Sequence, residues 1–160
     1  MTKELSNIII WSENKPGVFF RILWLFRRKQ FNIESATVGH SEIPGISRYT
    51  ITVSASAEQV TNMVRQLGKL VNVMKAMEVP NEMLVYRELA LMKVGIKNKR
   101  DKSDILRVIE HFRARVINMT KEALTIEITG DEEKVDALYE NMKDFTIIEF
   151  VRTGRTALLK

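Results

Sequence analysis

Nucleophilic chemistry has little to work with in this chain. It has no cysteine and only two histidines, His40 and His111. That excludes disulfides, thiolate nucleophiles and cysteine metal sites together. A serine, threonine or lysine nucleophile would need one of those histidines as its base. His40 precedes Ser41 in a loop, and His111 follows a helical stripe beside Phe112. Neither belongs to a nucleophile-elbow or triad-like motif. Asp131-Glu132-Glu133 opens an expected helix, where acidic side chains complement the positive end of the dipole. No His/carboxylate cluster has metal-ligand spacing, and no G-x-x-x-x-G-K phosphate loop occurs. The chain is expected to carry no catalytic residue, no metal and no cofactor of its own.

Binding chemistry is better supplied. In Glu13-Asn14-Lys15-Pro16-Gly17-Val18-Phe19 an apolar strand gives way to a helix. A helix start offers unpaired N–H groups and a positive dipole end, which suit a carboxylate. Gly17 lets a ligand approach the backbone closely. Asn14 presents both a donor and an acceptor, so it can meet either end of an amino-acid zwitterion. The same residues also fit an ordinary helix start with Asn14 as its cap, and spacing alone leaves both readings open.

The elements that must position this turn follow from periodicity. Ile8 to Trp11 reads as a buried strand, and proline at Pro16 predicts a helix starting nearby. Phe19, Ile22, Leu23 and Phe26 recur at i, i+3, i+4, i+7 as the stripe facing a sheet. Phe20 and Trp24 lie on the flank of that helix, a second apolar surface that marks an interface with a partner chain or the other domain. Asn32 to Val38 reads as a second strand, Glu42-Ile43-Pro44-Gly45 as a turn and Tyr49 to Val53 as a third strand. Ser56 with Gln59 forms a capping box before the stripe Val60, Met63, Val64 and Leu67, and Gly68 ends that helix. A fourth strand runs to Val79, and Pro80-Asn81-Glu82 is the expected linker.

The order then repeats. Leu89 to Ile96 is a strand that Tyr86 to Glu88 extend, and Ile105, Val108, Ile109 and Phe112 form a helical stripe. Val116 to Met119 and Leu124 to Ile128 are strands. Val135, Leu138, Tyr139 and Met142 lie on a helix read as capped by Thr129 with Glu132, and Ile147 to Val151 closes the pattern. Thr50, Ile51, Val53, Val60, Met63 and Leu67 match Thr125, Ile126, Ile128, Val135, Leu138 and Met142 at one constant offset. The expected fold is α+β: two tandem ferredoxin-like βαββαβ domains, over residues 1–80 and 84–160.

Composition agrees with folded domains. Hydrophobic residues make up 45% and charged residues 28%, a globular profile rather than a disordered one. No signal region is visible behind Met1-Thr2-Lys3-Glu4, and no apolar run approaches the roughly 20 residues of a membrane span. The expected location is cytoplasmic, with no membrane partner. The net charge of +5 is spread over helix ends and loops such as Arg27-Arg28-Lys29. RNA-recognition domains share this topology, but Tyr49-Thr50-Ile51-Thr52-Val53 lacks their glycine-and-aromatic pattern, so no nucleic acid is expected.

Several segments together resemble a known family, the small regulatory subunits of acetolactate synthase (acetohydroxyacid synthase). They are Glu13-Asn14-Lys15-Pro16-Gly17, Phe31-Asn32-Ile33-Glu34-Ser35, Ser47-Arg48-Tyr49-Thr50-Ile51, Tyr86-Arg87-Glu88-Leu89 and Val151-Arg152-Thr153-Gly154. The resemblance implies that the N-terminal unit is an amino-acid-sensing ACT domain and that the chain homodimerises through it. It implies a large catalytic partner that uses thiamine diphosphate, Mg2+ and FAD to join two 2-oxo acids in branched-chain amino-acid biosynthesis. The small subunit would activate that partner and confer feedback inhibition, commonly by valine. The resemblance further implies an effector site made by Asn14 and Gly17 of one subunit and Asn32 of its neighbour, with Val18, Phe19 and Ile33 close by. Two features depart from the family: Lys15-Pro16 places a proline in the ligand turn, and Phe19-Phe20 is bulkier than the small residues many members carry nearby, so Phe20 is expected either to narrow the pocket or to alter its coupling to the interface. An alternative is a stand-alone ACT-type amino-acid sensor or transcriptional regulator, although no helix-turn-helix pattern is appended.

Overall fold

The structure is a computed structural model that describes residues 5–160. Met1-Thr2-Lys3-Glu4, on which the absence of a signal region rests, lie outside the described residues. The chain forms two compact units, one of residues up to Tyr86 together with Arg155–Lys160, the other of Arg87–Gly154.

In the first unit the order is β1 (Leu5–Glu13), α1 (Val18–Arg28), β2 (Ile33–His40), β3 (Ile46–Ser54), α2 (Ala57–Leu67) and β4 (Val73–Val79). The strands form an antiparallel sheet in the order β2-β3-β1-β4, which leaves β2 and β4 at its edges. Ile8 and Ile10 of β1 point to the helices and pack with Ile22, Phe26, Ile51, Val53, Val60 and Met63. Alternation sends Ile9 to the opposite face, where it packs with Val79, Leu84 and Ala157. All three isoleucines are fully buried. Their unbroken apolar run therefore reflects a strand covered on both faces.

The cover on that outer face comes from the end of the chain. A short strand β9 (Thr156–Leu159) pairs with β5 (Leu84–Gly95), and the Lys160 N–H donates to the Met83 carbonyl at 3.0 Å. Arg155, only 4% exposed, donates from Nη1 to Asn7 Oδ1 at 3.0 Å and to Asn81 Oδ1 at 3.1 Å, and its guanidinium lies over the Tyr86 ring. Pro80-Asn81-Glu82, expected as a linker, is thereby built into the first unit as part of a 3-10 turn, Asn81–Met83. Where a boundary at 80–84 is expected from sequence, the first unit runs to Tyr86 and the second begins at Arg87, and the tail from Arg155 belongs with the first.

The second unit repeats the order with β5, α3 (Lys99–His111), β6 (Arg115–Met119), β7 (Ala123–Gly130), α4 (Glu132–Met142) and β8 (Thr146–Arg152). Its strand order, β6-β7-β5-β8, is that of the first sheet. The matched positions occupy equivalent places. Ile51, Val53, Val60, Met63 and Leu67 are buried in one core, and Ile126, Ile128, Val135, Leu138 and Met142 in the other. The carboxylate of Glu88 is buried and bonded to the Arg152 guanidinium, which also reaches Asp136 at 2.7 Å. Burial opposes the Arg152 charge, but its bonds to Glu88 and Asp136 outweigh that and raise its pKa.

Two expectations about helices need correction. The buried face of α1 is Val18, Ile22, Leu25 and Phe26, while Phe19 and Leu23 are only half-buried. From Val18 to Phe26 only Arg21 is polar, so periodicity could not select among apolar stripes, and packing did. The cap of α4 is Asp131, whose side chain accepts from the Lys134 N–H at 2.9 Å. Thr129 is held in β7 by its pairing with Leu89 and cannot serve as that cap. By contrast the Ser56–Gln59 capping box forms as expected.

Candidate functional site

The turn between β1 and α1 keeps its shape through its backbone. The Asn14 N–H donates to Gly45 O at 2.8 Å and the Lys15 N–H to Glu13 O at 3.0 Å. Gly17 is the N-cap of α1 with φ 81°, and no side chain caps the helix. The reading of Asn14 as an ordinary cap therefore does not hold, and its exposed amide is left for other partners. A side chain at Gly17 would meet nothing within 4 Å but would strain this left-handed backbone. The position combines open space with a conformation that favours glycine.

The donors around the turn are unevenly available. The Val18 N–H points to Lys15 O at 3.3 Å, while the Val18 side chain is buried in the core. By position, Phe19 and Phe20 have no intrahelical carbonyl for their N–H groups. Phe19 leans its ring on Tyr49, centroids 5.5 Å apart, and Tyr49 in turn bonds Ser12 at 3.1 Å. Phe20 faces outward with 69% of its surface exposed, and Trp24 is 48% exposed. Phe20 thus flanks the turn from outside.

A polar tether fixes the other side of the turn. Glu13 Oε2 accepts from Lys15 Nζ at 2.7 Å and from Asn72 Nδ2 at 2.9 Å, and Asn72 Oδ1 accepts from Arg21 of α1. These bonds, with that to Lys15 the strongest, hold the Glu13 carboxyl below its ordinary pKa. A small cavity of about 210 Å³ adjoins this tether, lined by Val18, Arg21, Leu70 and Asn72. Glu13, Asn72 and Arg21 form a support that sequence reading missed. Asn72 lies 59 residues from Glu13, and no local spacing links them.

Asn32 and Ile33 occupy the far end of α1. Asn32 is exposed just before β2 and donates from Nδ2 to Glu34 Oε1 at 2.6 Å, which leaves its carbonyl oxygen as an acceptor. Ile33 is half-buried against the core and pairs with Val53. The structure brings Asn14, Gly17, Val18 and Phe19 together, but it does not bring Asn32 to them. An eleven-residue helix separates the two groups, and such a helix is about 16 Å long.

Among the described residues no group of three or more His, Asp or Glu side chains is placed to hold a metal ion. No helix among them is long and apolar enough to cross a membrane.

Tandem ferredoxin-like units, the first with an open glycine turn at the start of α1, define a protein of the ACT-domain class. Residues 8–75 match the family described as AHAS small subunit-like ACT domain, and residues 87–160 match the small subunit of acetolactate synthase. The probable acetolactate synthase small subunit of Methanothermobacter thermautotrophicus is 42% identical over 146 residues, spanning 91% of this chain and 87% of its own length. The acetolactate synthase small subunit of Bacillus subtilis is 39% identical over 148 residues, spanning 92% and 86%. The crystal structure of the acetolactate synthase small subunit from Thermotoga maritima superposes with a TM-score of 0.92 at 36% identity, covering 98% of both chains. The chain belongs to the acetolactate synthase small-subunit family.

Proposed function

We propose that this chain is a regulatory subunit that activates a large catalytic acetolactate synthase subunit and makes it sensitive to a branched-chain amino acid, with valine the first candidate. The effector's carboxylate sits at the start of α1 near Gly17, on first-turn N–H groups. Its ammonium is held by the Oδ1 atoms of Asn14 and of Asn32 of the partner subunit. Phe19 and Ile33 of the partner subunit border the aliphatic side chain, and Val18 sets the floor from the core. The reaction and its thiamine diphosphate, Mg2+ and FAD belong to the catalytic subunit.

The observation that carries this reading is the separation of Asn14 and Asn32 by the length of α1. One chain cannot offer both amides to a molecule as small as an amino acid. Two chains can, if a two-fold axis sets their α1 helices side by side and antiparallel, because the start of one α1 then faces the end of the other. Two further features support such a pair. β2 is an edge strand with unpaired backbone groups, and Phe20 and Trp24 form an exposed apolar flank on α1.

The test is acetolactate production by the cognate catalytic subunit, with and without this protein, across a valine titration. Stimulation that valine reverses is the expected result. Stimulation without valine sensitivity would retain the subunit role and implicate the altered turn at Pro16 and Phe20. No effect on a competent catalytic subunit would favour a stand-alone amino-acid sensor.

A further inference from the structure

The outer face of the first sheet carries a row of side chains that the effector site does not use. Gly39 of β2 is the Cα partner of Arg48 in β3, Arg48 of Trp11 in β1, and Trp11 of Lys75 in β4. Strand alternation puts this row on the face of Ile9, away from the helices. The Arg48 guanidinium lies 5.2 Å from the centre of the Trp11 ring, and Lys75 Nζ lies 5.4 Å from it. Two cations therefore converge on one indole.

Cation–π contact orients these cations without neutralising them. Burial works against the Arg48 charge and lowers its pKa, and only Glu42 acts the other way. Lys75 is exposed. At Gly39 a side chain would meet nothing within 4 Å, so the row ends in an open notch. The notch belongs to a groove of about 400 Å³ lined by Thr37, Gly39, Glu42, Arg48, Thr50 and Leu158, with Glu42 at the Arg48 end of the row.

We propose that the row Gly39–Arg48–Trp11–Lys75 is the docking surface for an acidic segment of the large catalytic subunit. The proposal rests on the reading of this chain as that enzyme's regulatory subunit. Neighbouring strands are about 4.8 Å apart, so Arg48 and Lys75 stand about 10 Å apart across the sheet. The complementary segment carries two carboxylates at about that spacing. A single amino-acid effector is too small to span the row. Single-stranded RNA fits poorly, because its recognition stacks two or three bases on open aromatic rings. Here Trp11 is the one aromatic in the row and already has two cations set against it. The neighbouring Ile9 is covered by Leu84 and Ala157.

The test is binding of the full-length chain to the cognate catalytic subunit at low and high ionic strength, using wild type, Lys75→Glu, Arg48→Gln and the exposed control Lys121→Glu. Lys75→Glu and Arg48→Gln are expected to weaken binding about tenfold each and to flatten its salt dependence, with Lys121→Glu unchanged. Effector binding and the dimer should be unaltered. Lys75 is exposed, so its variant decides the matter even if Arg48→Gln folds poorly. Wild-type binding with both variants matching it in affinity and salt slope would overturn the docking surface while leaving the subunit role intact. No binding by wild type to an active catalytic subunit would overturn both. Variants that lose affinity for single-stranded oligouridine, or that change only the chain's own dimerisation, while retaining the catalytic subunit, would also sink the proposal.

Discussion

In the proposed effector site, Asn14 and the partner subunit's Asn32 would each offer a side-chain oxygen to the effector's charged ammonium. Hydrogen bonds to charged groups are each worth about 1.5–3 kcal/mol. Asn14→Ala or Asn32→Ala should therefore raise the valine concentration for half-inhibition by about 10- to 100-fold. Both residues are exposed, so stability and activation of the catalytic subunit should change little. Inhibition assays on each variant decide this, and full valine sensitivity in both would remove these residues from the site. Glu13 makes a second prediction at the same scale. Its folded-state pKa lies below the unfolded value, with the bond from Lys15 the largest cause and that from Asn72 next. The tether is therefore fully present above the ordinary carboxylate value and is lost as pH falls through the lowered one. An NMR titration of the Glu13 carboxyl should show that depressed midpoint, and Lys15→Ala should return it toward the ordinary value.

At the scale of elements, β9 completes the first domain from the far end of the chain. Ala157 is 1% exposed and packs with Ile9, Val79 and Leu84, so a chain ending at Gly154 would uncover that cluster. The loss should cost several kcal/mol, about 1.5–3 for each large side chain fully re-exposed. Both tryptophans, Trp11 and Trp24, lie in this unit, so tryptophan fluorescence in urea reports its midpoint directly. An unchanged midpoint would show that β9 adds nothing. Sequence marked Ile8 to Trp11 as a buried strand but could not name what covers its outer face. Thr156-Ala157-Leu158-Leu159 is too short for a period to show, and Arg155 acquires its role only by meeting Asn7 across 148 residues. The paired helical stripes and the Ser56–Gln59 box were legible because their determinants are three or four residues apart. The buried face of α1 was not, because an almost wholly apolar helix has no polar side to orient it. The Asn14–Gly17 turn could be read locally, whereas its support by Asn72 required β4 to be in place beside it.

At the scale of the whole molecule, the proposed site exists only in a dimer, and that gives it a signature no single-chain site can imitate. On that proposal a dimer of identical chains would have two effector sites, each combining Asn14 of one subunit with Asn32 of the other. A homodimer of Asn14→Ala chains has two damaged sites, and so has a homodimer of Asn32→Ala chains. A dimer containing one chain of each kind concentrates both losses in one site, and its other site keeps both native asparagines. Random exchange of equal amounts makes half the dimers mixed, so about a quarter of all sites regain wild-type composition. Mixing the two weak-binding variants after unfolding and refolding together should therefore restore high-affinity valine binding with about a quarter of the wild-type stoichiometry, readable by calorimetry. If both asparagines served a site within one chain, mixing would restore nothing, because every chain would still lack one of them. Restoration also requires that subunits exchange, so the same variants mixed without refolding provide the baseline against which recovered sites are counted.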